Sequence, residues 1–292
     1  MQMSGNPTEE RTMTPGDSGA PSLTILIRPA RGWQALGLRD VWQYRELLYF
    51  LCWREIKSRY RQMALGPLWI LLMPLANMVI FSVIFGTWAQ LPNEGLPYPL
   101  FYYAALLPWQ LFSVSARSSA TSLVSNLGLI SKVYFPRLII PISTAVIGLL
   151  DFAMSFTLLL GMMVWYRIVP PPTAVLFPAY LLLAMAAALA VGLWLAALAV
   201  KFRDVGYGVG YLLQFWMFAT VIFPSAQVPE HWRLLYRLNP MQTVVEGFRW
   251  TLLGRGHAPD VVHGVTAILV LLALVSGAYV FRRTERTVVD IL

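Results

Sequence analysis

The chain has 292 residues, of which 58% are hydrophobic and 12% are charged, about half the charged fraction of a typical soluble domain. Several uncharged runs of about 20 residues exceed what a soluble core needs, so the composition argues against a soluble protein and favours a membrane protein. The net charge of +8 fits nucleic acid and anionic lipid equally well, so its distribution along the chain has to decide.

Residues 1–27 form the first segment, and their composition predicts a disordered cytosolic tail. Ser, Thr, Pro and Gly dominate the first 22 residues, which have no apolar centre of the kind that a signal peptide needs.

Residues 28–67 form a second segment, which we expect to lie at the membrane surface. Four residues recur there at the spacing of one helical face: Tyr49, Trp53, Ile56 and Tyr60. Charged side chains fall mainly on the other faces, and such a helix suits the membrane interface. Gly66 and Pro67 then interrupt the helix, so the pattern predicts an interfacial helix, a hinge and a membrane span.

The remainder, 68–292, contains six apolar stretches long enough to cross a bilayer as helices. They cover about 68–89, 99–124, 138–164, 174–200, 205–224 and 261–281. Arg117 interrupts the second stretch and Asp151 the third. The sequence therefore predicts an all-α integral membrane protein with six transmembrane helices.

The basic residues fall unequally on the two sides of these spans. With six spans, 16 of the 22 Lys and Arg residues share a side with both termini, and 5 lie on the other side. The positive-inside rule then predicts that both termini are cytosolic. The basic residues are thus accounted for by topology, and nucleic acid is not expected as a partner.

The connection 225–260 is the longest outside the predicted spans, and it lies on the outer side. Apolar residues recur in it at helical spacing: Leu234, Leu235, Leu238, Val244, Val245, Phe248 and Leu252. This pattern predicts short helices that dip back into the membrane where protein or water covers their backbone.

A search for catalytic or metal-binding residues finds no plausible set. The three histidines, His231, His257 and His263, lack the spacing of a metal motif, and Cys52 is the only cysteine. No carboxylate pair, nucleophile elbow or nucleotide-binding glycine loop is present. We therefore expect neither an enzyme nor a metal site.

Two charges lie inside predicted spans, where a charge is costly without a partner or water. Arg117 and Asp151 could form a structural ion pair, or Arg117 could extend its side chain to the cytosolic surface. Alternatively, Arg117 could face a passage that carries an anion.

Aromatic residues are concentrated around the second span, at Tyr98, Phe101, Tyr102, Tyr103, Trp109 and Phe112. An interfacial aromatic belt combined with helix packing explains them. A stacking surface for sugar rings explains them too, because an apolar ring face fits the C–H face of a sugar. Of this group, Tyr98, Tyr102, Trp109 and Phe112, with Arg117, are the candidates for a channel that contacts substrate.

Three segments resemble one family of membrane proteins. "LNPMQTVVEGFRWTLLG" (238–254) resembles the NP…EGFR signature of ABC-2 type transporter permeases. "SKVYFPRLIIP" (131–141) and "REIKSRYRQMALGPLW" (54–69) resemble the branch of that family that exports polysaccharides such as O-antigen, capsule and teichoic acid. The resemblance extends over about 28–290, and the tail before it is longer than the family pattern.

The resemblance implies an ABC-2 (type V exporter-like) fold in a bacterial inner membrane. Two copies of the chain would form a channel for a lipid-linked polysaccharide, and two copies of a separate subunit would bind ATP and Mg²⁺. This chain would need no cofactor of its own. The residues implied in contact with the ATPase subunit are Arg54, Glu55, Lys57, Arg59, Tyr60, Arg61, Ser131 and Lys132. Those implied in the re-entrant exit loop are Asn239, Pro240, Glu246 and Arg249.

The same fold would also serve an exporter of capsule or teichoic acid, or of a small lipid or drug. An ion-coupled secondary transporter usually needs buried acids or broken helices at the membrane midplane, and Asp151 is the only acid within a predicted span. A membrane-embedded enzyme is disfavoured by the absence of a catalytic set.

Overall fold

The structure, a computed structural model, describes residues 38–60, 68–133, 135–202, 204–222 and 228–291, without the side chains of Leu38, Arg39, Tyr60, Ile222 and 285–291. Throughout these ranges the regular elements are helices, which confirms the all-α fold class. The predicted tail 1–27, Arg61 and the hinge at Gly66 and Pro67 lie outside the described residues.

Two helices precede the first apolar stretch, α1 (Leu38–Gln43) and α2 (Arg45–Tyr60). Helix α2 packs along α6 (Ile139–Trp165), and Leu51 is buried on the packed side. Tyr49 and Trp53 are exposed on another side of α2. The helix predicted from the aromatic pattern therefore forms, with its aromatic side chains free for a membrane surface or a partner.

Helices occupy all six apolar stretches. Besides α6, they are α3 (Leu68–Phe81), α4 (Tyr98–Ser125), α7 (Phe177–Lys201), α8 (Asp204–Met217) and α11 (Val261–Ile291). Four segments are long and apolar enough to cross a membrane: Leu68–Trp88, Ile139–Trp165, Pro172–Lys201 and Val261–Thr284. Helix α4 is rich in serine and α8 in glycine and tyrosine, which lowers their mean hydropathy. The count of six spans therefore stays a prediction.

Two of the apolar helices widen into π-helices, which hydropathy did not predict. Helix α3 continues as a π-helix over Ser82–Trp88, and α8 continues as one over Phe218–Ile222. In a π-helix each backbone hydrogen bond spans five residues instead of four. The C-terminal parts of these two helices thus differ in hydrogen bonding from the other apolar helices.

Helix α4 lies at the centre of the fold, packed between α6 and α7. Its approach to α6 is close because Gly148 faces Ser115, whose Oγ lies 2.1 Å from where a glycine Cβ would be. Serine hydroxyls then donate across the contact, from Ser115 to Ala145 O at 2.9 Å and from Ser119 to Pro141 O at 2.8 Å. Small residues and shared hydrogen bonds thus hold the polar helix α4 inside the bundle.

The long connection holds two short helices, α9 (Glu230–Arg237) and α10 (Pro240–Leu253). Helix α10 is buried along nearly its whole length against α4 and α7, whereas most of α9 is exposed. The helical pattern in this connection is therefore real, and the position of the two helices relative to a bilayer stays a prediction. The remaining short elements are α5 (Leu127–Ile130) and a 3₁₀ turn (Pro172–Leu176) that leads into α7.

Candidate coupling and transport sites

The first candidate site joins α2 to the turn that follows α4. The guanidinium of Arg54 donates to Asn126 Oδ1 at 2.6 Å and to Glu55 Oε1 at 2.7 Å. Asn126 is the C-cap of α4 and the N-cap of α5. One side chain therefore connects two segments that the family resemblance assigned separately to ATPase contact.

The other predicted coupling residues lie around this connection. Lys57, on α2, is exposed, and so are Ser131 and Lys132 after α5. They are available to a partner on the surface of the chain. Arg61 and the side chain of Tyr60 lie outside the described residues.

Asp151 pairs with Arg59, which corrects one sequence-based alternative. The Arg59 guanidinium donates to Asp151 Oδ2 at 2.8 Å, and the side chains are 31% and 2% exposed. The alternative of an Arg117–Asp151 pair is therefore wrong. The predicted partner was a cation inside the spans, whereas the packing of α2 along α6 supplies one from outside them.

Arg117 lies on α4, and its side chain faces α8. Its side chain is exposed, and a Cβ added to Gly210 would be 2.9 Å from a guanidinium nitrogen. No ion pair of Arg117 occurs within the described part of the chain. Its role in a passage for an anion therefore stays a prediction.

The aromatic candidates around the second span are mostly internal. Tyr102, Trp109 and Phe112 are buried, whereas Tyr98 is half-buried and stacks on Tyr102 at 6.5 Å between centroids. The ring of Phe112 meets that of Trp216 on α8 at 5.2 Å. These contacts are the ones expected if the aromatic residues serve helix packing. For these rings to contact substrate, the helices would have to separate.

The exit-loop signature begins with a capping residue. Asn239 Oδ1 accepts hydrogen bonds from the Met241 backbone N–H at 3.1 Å and from Trp216 Nε1 at 3.0 Å. Its Nδ2 donates to Thr220 Oγ1 at 2.9 Å. Pro240 follows at the first helical position, where its missing N–H costs nothing. This pair of residues starts α10 and fixes it to α8 and the π-helix beyond.

The signature ends with buried charges. Gln242 Nε2 donates to Glu246 Oε1 at 3.0 Å. The Arg249 guanidinium lies 3.6 Å over the ring of Phe101 and donates to the Phe101 carbonyl oxygen at 3.3 Å. Between them, Gly247 lies against the Tyr180 ring, with 2.1 Å from an added Cβ to the nearest ring carbon. These residues attach α10 to α4 and α7.

A cleft lined by aromatic side chains was not predicted from the sequence. It has a volume of about 400 Å³ and lies between α8, α9 and α10, lined by Trp216, Trp232, Tyr236, Asn239 and Pro240 among others. Trp232 and Tyr236 are four residues apart and therefore share a face of α9. That spacing is the signal in the sequence, whereas the helix was predicted from Leu234, Leu235 and Leu238.

A charged cluster closes the outer connection. The Asp260 carboxylate contacts the Arg237 guanidinium and lies 2.7 Å from His263 Nδ1. Burial acts to raise the pKa of Asp260, but the hydrogen bonds from His263 and Arg237 outweigh it and hold that pKa well below its usual range. Within the described ranges, no group of three or more potential metal ligands is present.

Comparison with known proteins finds one family whose model spans both sites. The model of the ABC-2 type transporter family matches residues 46–253, from the second residue of α2 to the last of α10. The O-antigen export system permease protein RfbA of Myxococcus xanthus is 34% identical over 255 residues, which are 85% of this chain and 96% of that protein.

More distant relatives cover most of the chain too. The O-antigen export system permease protein RfbA of Klebsiella pneumoniae is 27% identical over 70% of this chain and 79% of its own. The polysialic acid transport protein KpsM of Escherichia coli is 24% identical over 80% of this chain and 91% of its own.

Proposed function

The chain belongs to the ABC-2 type transporter family, and from that premise we propose that it is the permease of an ATP-driven exporter of a lipid-linked, O-antigen-like polysaccharide. The observation that carries the proposal is the match of 85% of the chain to 96% of an O-antigen export permease. The capsule alternative is supported by a lower identity, 24%, to a polysialic acid transport protein.

The proposal places ATP and Mg²⁺ in a separate subunit that contacts the inner end of this chain. The Arg54–Asn126 contact joins α2 to the turn before α5, so one docked subunit would move both segments together. Lys57 follows Arg54 on α2, and Lys132 follows Asn126 after α5. Both are exposed and offer positive charge to an acidic partner surface.

The Arg59–Asp151 pair gives this movement a route into the bundle. Asp151 is the thirteenth residue of α6, so it lies about 18 Å along that helix at 1.5 Å per residue. Displacement of α2 would pull on, or release, a carboxylate far from the inner end of the bundle. Work from ATP would thereby reach the membrane part of the transporter through a defined polar contact.

We place the second copy and the substrate passage next to α8. Tyr207, Tyr211 and Phe215 recur at intervals of four residues and are all strongly exposed. Arg117 lies against the same helix at Gly210. A homodimer contact along α8 would put aromatic rings and a cation beside the passage, where they suit sugar rings and a phosphate-bearing lipid. The aromatic cleft at Trp232 and Tyr236 would lie at its outer end.

We also propose a bacterial inner membrane as the location of the chain. The excess of Lys and Arg on the side of the termini supports an orientation with both termini in the cytosol. A bacterial inner membrane is the compartment in which such a lipid-linked polymer is exported.

Deletion of the gene, followed by gel analysis of surface glycan, tests this proposal. We expect surface polymer to disappear and lipid-linked polymer to accumulate inside, and the wild-type gene to restore export. A variant with Tyr211→Ala and Phe215→Ala should restore little export. The matched variant Leu269→Ala and Leu272→Ala, on an exposed face of α11, should restore it fully. An unchanged glycan profile after deletion would contradict the proposal and favour a small lipid or drug as substrate.

A further inference from the structure

A second cavity lies away from α8, between α7, α10 and α11. Its volume is about 500 Å³, and its lining includes Tyr180, Leu183, Ala186, His263, Ala267 and Leu271. Ala267 and Leu271 follow His263 at intervals of four residues, so the lining on α11 extends about 12 Å along the helix. The cavity is therefore an apolar groove with a histidine at its outer end.

His263 leaves one buried hydrogen-bonding atom without a partner. The side chain is 8% exposed, and no hydrogen-bond partner of Nε2 is present within the described part of the chain. Nδ1 is on the opposite edge of the ring and faces Asp260 Oδ1 at 2.7 Å, so Nε2 is directed away from the charged cluster. A buried polar atom that lacks a partner destabilises the protein until something binds it.

The neighbours of His263 decide which kind of group Nε2 can bind. Asp260 is held ionised by Arg237 and by the backbone N–H of His263, so its carboxylate accepts the proton of Nδ1. The Asp260 backbone N–H is 3.5 Å from Nδ1, too far to compete. In the neutral ring, Nε2 is then an acceptor, and it requires a donor such as a hydroxyl group.

The groove opens toward the surroundings of the helix bundle. It lies between two of the four segments that are apolar enough to cross a membrane, Pro172–Lys201 and Val261–Thr284. Leu182 and Leu271, which line it, are also strongly exposed on its flanks. Its surroundings in a bilayer are therefore lipid, and an alkyl chain is the ligand that its lining suits.

We propose that this groove binds one alkyl chain of a membrane amphiphile that carries a free hydroxyl group next to the chain. The hydroxyl donates to His263 Nε2, and the chain lies along Ala267 and Leu271. A phosphate would offer only acceptors to an acceptor nitrogen, and a buried ammonium would lose more hydration than a hydroxyl. The site is separate from the proposed passage beside α8 and does not depend on the transported substrate.

Native mass spectrometry of the purified full-length chain in detergent tests the site with two probes. Monoolein carries an oleoyl chain and free hydroxyl groups, whereas methyl oleate carries the same chain without a donor. We expect the wild-type chain to bind monoolein about tenfold more tightly than methyl oleate, the size expected for one hydrogen bond to a buried acceptor. Equal binding of the two probes would overturn the proposal.

Three variants locate the preference. His263→Phe should remove it, because the ring remains and the acceptor does not. His263→Gln should keep part of it, because the amide oxygen can accept the same hydroxyl. Ala186→Phe should weaken both probes by filling the groove. A tenfold preference that persists in His263→Phe would place the binding elsewhere, and so would unchanged binding in Ala186→Phe. Elution of each variant as a single species in size-exclusion chromatography verifies folding.

Discussion

Helices α2 and α10 are each anchored by an arginine, yet the two anchors differ in kind. Arg59 of α2 is 31% exposed and reaches across to one buried carboxylate. Arg249 of α10 is 3% exposed and rests on the ring and carbonyl of Phe101. Around Arg249 nearly every residue of α10 is buried, whereas Leu51 is the one fully buried side chain among those described on α2.

We infer from this difference that α2 can be displaced more easily than α10. Polar contacts such as Arg54–Asn126 and Arg59–Asp151 can be exchanged for others when a partner docks. A packed surface cannot shift without opening cavities or creating overlaps, since protein interiors are close-packed. The helix that carries Arg54 and Arg59 is thus held mainly by polar contacts, whereas the helix that carries Arg249 is held mainly by packing.

The strongest test of the rigid side is Gly247→Ala. The added methyl would overlap the buried ring of Tyr180, and overpacking of this kind costs about 1–3 kcal/mol or more. We expect most of the protein to be lost as aggregate in size-exclusion chromatography after detergent extraction. Gly264→Ala on α11 is the matched control, because nothing lies within 4 Å of its added Cβ. Equal yields of the two variants would show that α10 tolerates displacement after all.

Arg249→Met should destabilise the same helix to a comparable extent. It keeps the stem of the side chain but removes the guanidinium from Phe101 and leaves Glu246 buried without its nearby positive charge. We expect a loss of stability of about 2–4 kcal/mol, measured as a lower thermal midpoint in detergent. Arg255→Met, at an exposed position just after α10, should leave that midpoint unchanged. A similar midpoint for both variants would mean that α10 is not anchored by this arginine.

On the mobile side, the Arg59–Asp151 pair should matter for transport more than for folding. We expect Arg59→Gln and Asp151→Asn each to lower surface polymer about tenfold in the complemented deletion strain, and the double variant to be no worse than either. Arg45→Gln, at the exposed start of α2, serves as the control. Additive losses in the double variant would indicate that the two residues act independently.

The Arg54–Asn126 contact should have a smaller effect, because Arg54 is partly exposed and also bonded to Glu55. We expect Asn126→Ala to lower export about two- to fivefold, in line with about 0.5–1 kcal/mol for an exposed polar contact. Binding of the ATPase subunit, measured by co-purification, should decrease together with export. Normal co-purification with reduced export would place the defect after docking.

The smallest expected effect is that of acid on the stability contributed by Asp260. The pKa of Asp260 is lowered in the folded chain, so its contribution to stability is present above its ordinary pKa and is lost as pH falls through the folded value. We expect the thermal midpoint of the wild-type chain and of Asp260→Asn to differ above about pH 4 and to converge only in stronger acid. Convergence near pH 6 would mean that Asp260 is not held ionised.

Sequence reasoning predicted the features that follow from a regular period. The helices in the six apolar stretches, the helix around Tyr49 and Trp53, and the helical pattern in the long outer connection are all present. The family assignment, made from three short segments, is confirmed by a match over 46–253.

Features that depend on packing between distant segments could not be predicted from the sequence. The partner of Asp151 comes from a residue 92 positions away, across a contact between α2 and α6 that no local pattern reveals. Tyr102 and Phe112 were candidates for substrate contact because aromatic residues suit both cores and sugars, and only tertiary packing shows them buried. The cleft at Trp232 and His263's groove likewise require the helices to be assembled.

The two π-helices bear on which side chains of α3 and α8 share a face. A turn of π-helix holds more residues than a turn of α-helix, so each successive side chain turns through a smaller angle. Beyond Ser82 and Phe218 these helices therefore present a different set of positions than the period from Leu68 or Asp204 predicts. Along each helix the α-helical part and the π-helical part follow different periods, so a substitution series should be read as two series.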